Sequence, residues 1–496
     1  MFAHKYMMKV TASIIFAVSS FISLIFMTRY VGEAYGMMMW GMSLVAIFNT
    51  ALDMGFNDAN IKKVSEGMDL KKCVSTYLAI RTVISVMTVV LVLLSAVLMD
   101  HFNGGFPTEF WMVTGVFVLY FVLDNLLVVM SSTFIGHMDA GKESATLVTS
   151  HLIRATCLIV FAVMGASAVV LSFGYVIGTS CALVVSYILF RSLKVRLVRP
   201  AFFKEYWSFA APLVVPLVLI AVVTYIDKVM IGAFFNEMEV GYYTAAMGII
   251  FALISLGAVM NGLLLSHMSR LRREGKTGEA RNTLWAAQKY LAVLMLPATV
   301  FLLMFGNETA VALFKVSFAA SGPVLSVLAL NIYLVVLSGM FCQVLFSMDR
   351  TASYGKAAVV YGILALLLFF VLIPGRLFED VYGATGAAAA VVIASFVFVI
   401  MLAVTIKRLG GPSVYPRIYI HVGAALILMA VLYLVKIYLE PSGVIELVLL
   451  ALASLVLYGA ILVAVKEISR KDIRFIRDTL DPRNIYEDLR GEMREK

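Results

Sequence analysis

Apolar runs of about twenty residues, separated mostly by short loops, fill almost the whole chain. A helix needs about 20 mostly apolar residues to cross the hydrocarbon core of a bilayer. Within lipid, only helices and closed barrels satisfy the hydrogen bonds of their own backbone. Because 62% of the 496 residues are hydrophobic and only 14% are charged, the composition excludes a soluble globular protein. The sequence therefore predicts an all-α polytopic membrane protein.

Fourteen runs are long enough to span a membrane, and the weakest division, near Gly165, separates the fifth from the sixth. The first run follows Lys5 and Lys9, lacks a small-x-small cleavage site and ends at Arg29, which predicts a retained span rather than a signal peptide. The predicted spans are approximately 10–28, 36–56, 77–98, 110–134, 146–165, 168–190, 207–231, 241–266, 285–305, 321–347, 357–374, 383–406, 418–438 and 444–465.

The distribution of Lys and Arg predicts the orientation. With these spans, twenty-two basic residues fall on one side of the membrane before the tail, and only Arg29, Lys315 and Arg376 fall on the other. Basic loops stay in the cytoplasm, so we expect both termini to be cytoplasmic. The same loops account for the net charge of +9, and no nucleic-acid partner is expected.

Two pairs of similar segments indicate an internal repeat. Thr28–Gly36 (TRYVGEAYG) resembles Met230–Tyr243 (MIGAFFNEMEVGYY), and Gly174–Gly178 (GYVIG) resembles Tyr382–Gly386 (YGATG). Both pairs are six spans apart, and an even separation means parallel repeats. The predicted domains are an N-terminal lobe, a C-terminal lobe, an added span pair and a cytoplasmic tail, over 1–200, 201–410, 411–465 and 466–496. The tail is either an amphipathic helix on the membrane face or a short solvated segment.

Four segments carry a resemblance to a known family: RYVGEAYG, LDMGFNDANIKKVSEG (Leu52–Gly67), Tyr206–Ala246 and VLIPGRLFEDVYGATGAAAA (Val371–Ala390). In this order the chain resembles the multidrug/oligosaccharidyl-lipid/polysaccharide exporter superfamily. Within it, the chain is most similar to the polysaccharide-biosynthesis flippases that move polyprenyl-linked sugars. The resemblance implies two six-helix lobes around a central cavity, working by alternating access.

Charged residues near mid-depth are the first site candidates. Arg154 lies about nine residues into its span, and Asp124, beside Asn125, lies at matching depth in the preceding span. A charge at the bilayer centre costs roughly 2.5–3.5 kcal/mol, so we expect an ion pair. Arg154 could bind a phosphate while Asp124 holds it or exchanges a proton; the alternative is a structural pair. His151, one turn from Arg154, is either a proton relay or a core histidine.

Charges near span ends are the second set. Asp53 and Arg81 lie towards the cytoplasmic ends of their spans and form either an inner gate or diphosphate site or a pair of snorkelling interfacial charges. Arg29 ends the first span, and Asp227 with Lys228 ends the seventh. These three either line an outer gate or anchor the helices at the interface.

No catalytic motif or phosphate-binding loop is present in the sequence, and an enzyme is not expected. The four cysteines form no CxxC pattern, so no metal or cofactor is predicted, with H⁺ or Na⁺ as candidate coupling ions. The predicted function is flipping of a polyprenyl-(di)phosphate-linked oligosaccharide across the inner membrane, from the cytoplasmic to the outer leaflet. The expected partners are the bilayer and the anionic glycan lipid, for a monomer with glycan-assembly proteins as candidate associates.

Two alternatives remain. A cation-coupled multidrug exporter of the same superfamily favours an acidic cavity, and one branch carries a carboxylate in the first helix; the run 10–28 has none. A membrane glycosyltransferase would ordinarily carry large outer loops with acidic motifs, and the outer loops predicted here are about a dozen residues at most.

Overall fold

The computed structural model describes residues 2–103, 106–375, 382–412, 414–439, 441 and 443–469. Every regular element in these ranges is helical. Arg376 and most of the predicted amphipathic tail, 470–496, lie outside the described residues. The α-helices are α1 (Phe2–Tyr30), α2 (Gly32–Asp53), α3 (Phe56–Ser65), α4 (Leu70–Asn103), α5 (Thr108–Gly136), α6 (Ala140–Val163), α7 (Ala168–Phe190), α8 (Phe203–Ala210), α9 (Val214–Phe234), α10 (Glu237–Arg273), α11 (Thr277–Phe314), α12 (Ser321–Ser347), α13 (Thr351–Leu372), α14 (Gly383–Arg408), α15 (Ile418–Tyr438) and α16 (Val444–Ala464).

Fourteen helices in the described part of the chain are long and apolar enough to cross a membrane, which confirms the predicted all-α polytopic fold. They are all the α-helices except α3 and α8, which have 10 and 8 residues. Short 3₁₀ turns follow α7 and precede α9 and α12.

The seventh span differs from the prediction of 207–231. It begins at Val214 and ends at Phe234, because α8 is a separate helix and a 3₁₀ turn, Ala211–Leu213, comes between them. Pro212 lies in that turn and Pro216 in the first turn of α9. Proline has no amide hydrogen and is tolerated only in the first turn of a helix, so these residues break the run that looks continuous in the sequence.

Grouped by contacts, the chain forms two units. The first unit is His4–Ala245 with Leu366–Ala387. It holds α1 to α9 together with the first turns of α10 and the chain around the start of α14. Its α8 is fixed by Tyr206, whose hydroxyl donates to Asn60 Oδ1 at 2.7 Å. The predicted six-plus-six repeat remains a prediction.

Glycines bring α2 into close contact with α9 and with the start of α10 within the first unit. A Cβ added at Gly232 would lie 2.3 Å from the Trp40 ring. One added at Gly36 would lie 1.9 Å from the carbonyl oxygen of Glu237. Small residues allow helix backbones in a membrane to approach, and the dispersion contacts so gained replace a hydrophobic driving force that lipid does not supply.

The second unit consists of Met1–Ala3, Ala246–Ala365 and the residues from Ala388 onward. Its centre is α11, which packs against α12, α15 and α16. The α11 backbone is non-helical at Phe305, with φ −116° and ψ 28°. Lys436 of α15 donates to the carbonyl oxygen of Met304 at 2.6 Å and pairs with Glu308 at 2.8 Å. This lysine therefore supplies a partner for a carbonyl at the kink.

Candidate substrate site

Arg81 is the centre of a hydrogen-bonded network, here called the Arg81 network. The side chain is 5% exposed. Its Nε donates to the Tyr77 hydroxyl at 2.7 Å and its Nη1 to Asn125 Oδ1 at 3.0 Å. Its Nη2 lies 2.5 Å from Asp53 Oδ1, in an ion pair. All three nitrogens are thus engaged, and Arg81 joins α4 to α2 and α5.

Asn125 extends the Arg81 network to further side chains. Its amide nitrogen donates to Asn49 Oδ1 at 2.8 Å and to Ser85 Oγ at 2.9 Å. Arg81, Ser85 and Asn125 also line a cavity of about 250 Å³, whose lining is half polar and half aliphatic. Fully satisfied polar networks of this kind fix the relative positions of helices. The burial of Arg81 does not favour the snorkelling alternative, and each of its three nitrogens has a partner within the protein.

Arg154 has a different environment. Its Nη2 lies 3.4 Å from Ser150 Oγ and 3.5 Å from Thr179 Oγ1, which are long for hydrogen bonds. Its Nε is buried without a hydrogen-bond partner among the described residues. The guanidinium carbon lies 4.5 Å from the centroid of the Tyr175 ring and 5.4 Å from that of Tyr120. We call these five side chains the Arg154 cage. Its aromatic rings lie over the faces of the cation, and Tyr120 also forms a hydrogen bond with Arg154, whereas Nε and Nη2 have no short hydrogen bond among the described residues.

An ion pair between Asp124 and Arg154 was expected. Among the described residues, no salt bridge with a nitrogen–oxygen distance of 4.0 Å or less joins these two side chains. Asp124 interacts electrostatically with Arg154 and with Arg81, without a salt bridge to either. Asp124 and Asn125 are adjacent on α5, so their side chains point about 100° apart. Asn125 faces the Arg81 network, and a role of both residues in one site stays a prediction.

His151 packs against α1. Its ring centroid lies 4.2 Å from that of Phe16, with the rings tilted by 51°. The contact is aromatic packing by a half-buried side chain, and the proton-relay role stays a prediction.

Asp227 and Lys228 lie farther from the end of their helix than predicted. Both are buried, with 2% and 8% exposure. Lys228 Nζ lies 2.8 Å from Asp227 Oδ1 and 2.8 Å from the Thr224 carbonyl oxygen, and 5.5 Å from the centroid of the Tyr243 ring. The prediction that they end the seventh span is wrong: α9 continues for seven residues, about 10 Å, beyond Asp227. Arg29, by contrast, lies in the last turn of α1 as predicted.

The residues that surround Arg154 were missed by the sequence analysis, although one signal was present. Tyr175 and Gly178 both belong to the GYVIG segment, which was noted only as a repeat. A Cβ at Gly178 would lie 2.9 Å from the Arg154 Cβ and 2.8 Å from the Ser150 carbonyl oxygen. The glycine therefore lets α7 approach α6 at Arg154, while Tyr175, one turn earlier, covers the guanidinium.

Residues 26–323 match the family described as polysaccharide biosynthesis protein. The chain belongs to this family. Among solved structures, this family member is similar to "Lipid II flippase MurJ, inward closed conformation", with a TM-score of 0.74, 14% identity and coverage of 93% of this chain and 100% of that one. It is also similar to an inward-facing multidrug resistance MATE family transporter of the MOP superfamily, with a TM-score of 0.65, 13% identity and coverage of 82% and 98%.

A comparison with curated proteins finds no match. At these identities the structural likenesses establish the fold. Together with the family match they confirm the predicted resemblance to polysaccharide-biosynthesis flippases of the exporter superfamily. The chain is a multi-pass membrane protein with a fold that transporters and flippases share.

Proposed function

We propose that this protein flips an oligosaccharide linked to a polyprenyl phosphate or diphosphate from the cytoplasmic to the outer leaflet. The observation that carries the proposal is the Arg154 cage. Arg154 is half-buried; its Nε is buried without a partner among the described residues, and its Nη2 has only contacts of 3.4 Å and 3.5 Å, so donors remain for a ligand beside the hydrogen bond with Tyr120. The planar guanidinium matches the geometry of phosphate oxygens.

Two other intramembrane cations of the first unit are less suited to this role. Arg81 is paired with Asp53 and bonded to two further side chains, and Lys228 is paired with Asp227. A phosphate binding there would have to displace a carboxylate that is already in place. At Arg154 it would instead fill a buried donor, and leaving such a donor unfilled costs about 1–3 kcal/mol.

Family membership supports the substrate class. The family is one of polysaccharide biosynthesis, and one of the proteins that share this fold is a lipid II flippase. Under this proposal the phosphate head group enters from the cytoplasm, its tail remains in the bilayer, and two lobes alternate in access around it. The cytoplasmic termini, the inner membrane and coupling to H⁺ or Na⁺ are parts of the same proposal.

A cation-coupled drug exporter is the second candidate, and Asp124 favours it. This carboxylate lies within α5 and has no salt bridge within 4.0 Å among the described residues, so it could bind a cation. The likeness to MATE transporters is compatible with this role. For such an exporter, Asp124→Asn should raise sensitivity to cationic drugs while Arg154→Gln should not.

The decisive experiment is deletion of the gene followed by complementation with Arg154→Gln. We expect the deletion to trap lipid-linked glycan on the cytoplasmic leaflet, and Arg154→Gln to restore its transport poorly. Loss of charge-assisted bonds worth about 1.5–3 kcal/mol weakens substrate binding about 10- to 150-fold. Arg191→Gln, which removes an exposed arginine at the end of α7, is the matched control and should complement fully. Full complementation by Arg154→Gln at normal protein level would refute the site.

A further inference from the structure

A second cationic site candidate is a cavity that lies within the second unit. Its volume is about 550 Å³. It is formed where the end of α10, the start of α11, the end of α12 and the turn after α14 meet. The lining residues that matter for its chemistry are Met268, Arg272, Arg281, Val344, Met348 and Leu409.

The charge that lines this cavity is positive. Arg272 and Arg281 contribute it, and the described residues of the lining include no acid. Arg281 is oriented by stacking on Trp285, with its guanidinium carbon 4.9 Å from the ring centroid. In the neighbouring loop, Glu274 pairs with Lys276 at 3.0 Å. The two arginines therefore offer guanidinium donors to one anion from two different helices.

Apart from Thr277 and Ser347, the rest of the lining is formed by apolar side chains, glycine and proline, and part of it is closely packed. Met268 and Val344 are buried. A Cβ at Gly411 would lie 2.9 Å from Met348 Sδ, so the turn after α14 is packed closely against the residue that follows α12. The backbone amide of Tyr415 donates to Gln288 Oε1 at 2.7 Å, which ties the chain after this turn to α11. The cavity is thus amphipathic, with a cationic rim and a fixed apolar floor.

We infer that this cavity binds the phosphate head group of an anionic phospholipid, with the glycerol and upper acyl carbons against the apolar floor. The cavity lies at the ends of membrane-spanning helices, on the side that the basic loops make cytoplasmic. Basic pockets between spanning helices on that side suit anionic lipid head groups. A free phosphate ion would use the arginines but leave the half-buried Met348 and Leu409 without a partner.

Native mass spectrometry tests this inference by measuring how much lipid stays bound to the full-length protein after its release from detergent micelles. The probes are dioleoyl-phosphatidylglycerol and, as the zwitterionic control, dioleoyl-phosphatidylcholine. In the double variant Arg272→Gln/Arg281→Gln the apparent affinity for phosphatidylglycerol should fall about 30-fold, with each charge contributing about fivefold. The affinity for phosphatidylcholine should stay within about threefold.

The matched control is Arg270→Gln/Arg273→Gln, which removes two charges from the same end of α10 without touching the cavity lining. It should retain phosphatidylglycerol binding within about threefold. An equal loss in both double variants would mean general surface attraction and would overturn the site, as would undiminished binding by the cavity variant. Displacement of the lipid by millimolar inorganic phosphate would overturn its assignment to a lipid. Because the readout is binding, the result does not depend on what the protein transports.

Discussion

Replacement of Arg81 by methionine should destabilise the protein rather than merely abolish its transport. Methionine has a similar volume but no N–H group, so the substitution removes the three contacts in which Arg81 donates to Tyr77, Asn125 and Asp53. Breaking a buried ion pair by removing one partner costs about 3–5 kcal/mol because the other charge remains buried. Asp53 is 24% exposed and Arg81 5%, so water relieves part of this penalty and the lower end, about 3 kcal/mol, is expected.

A double-mutant cycle separates the charge from the packing. Asp53→Asn removes the uncompensated carboxylate, so the double variant Arg81→Met/Asp53→Asn should be more stable than Arg81→Met alone. The expected coupling energy is about 1–3 kcal/mol. The free energies of unfolding are measured by denaturant titration of the purified protein in mixed micelles, with helix content followed by circular dichroism.

The matched comparison is Arg154→Met, made in the same micelles. Arg154 has no carboxylate within 4.0 Å among the described residues, so its loss leaves no ion-pair partner behind and should cost less stability than the loss of Arg81. The reasoning would be refuted if Arg81→Met left the free energy of unfolding unchanged while transport was lost. Arg81 would then be a substrate-binding residue, and the satisfied network would not be its role.

Three further changes test the packing. In Gly232→Leu the new side chain should overlap the Trp40 ring of α2 and lower the free energy of unfolding by about 1–3 kcal/mol in the same titration. Gly115→Leu is the control and should leave the free energy of unfolding unchanged, because a Cβ added there would meet no described atom within 4 Å. Lys436→Met should destabilise the protein by leaving Glu308 unpaired, and adding Glu308→Gln should recover part of the lost stability. No recovery would contradict a stabilising role of the Lys436–Glu308 ion pair at the α11 kink. Tyr206→Phe should cost about 1–3 kcal/mol, since a buried acceptor loses its donor; an unchanged midpoint would count against that hydrogen bond.

The span count and the helical class could be predicted because lipid permits so few backbone solutions. The seventh span was misplaced for a local reason. Its apolar residues run unbroken from α8 into α9, and hydropathy does not report that Pro212 and Pro216 interrupt the backbone hydrogen bonds. Moving the start to Val214 moves Asp227 and Lys228 inward along their helix, which the composition of the run could not reveal.

The partners of buried charges were harder to predict than their depth. Asp124 and Arg154 were matched because consecutive spans place them at similar depth, but depth says nothing about rotation around the helix axis. Asn125 faces the Arg81 network, and its neighbour Asp124 is therefore rotated by about 100°. The rotation of α7 could have been inferred from Tyr175 and Gly178, which lie almost one turn apart and so share a face.

Arg81, Arg154 and Lys228 are equivalent by the criteria that a sequence offers, since each is a cation in an apolar run. Their neighbours make them different. Arg81 and Lys228 each have a carboxylate within 2.8 Å, so their electrostatic cost is met inside the protein. Arg154 is held by aromatic faces and hydroxyl groups, which lower the cost of burying the charge without neutralising it. An anion that enters the Arg154 cage therefore gains a full charge partner, and for this reason the phosphate of a lipid carrier is the substrate group assigned to it.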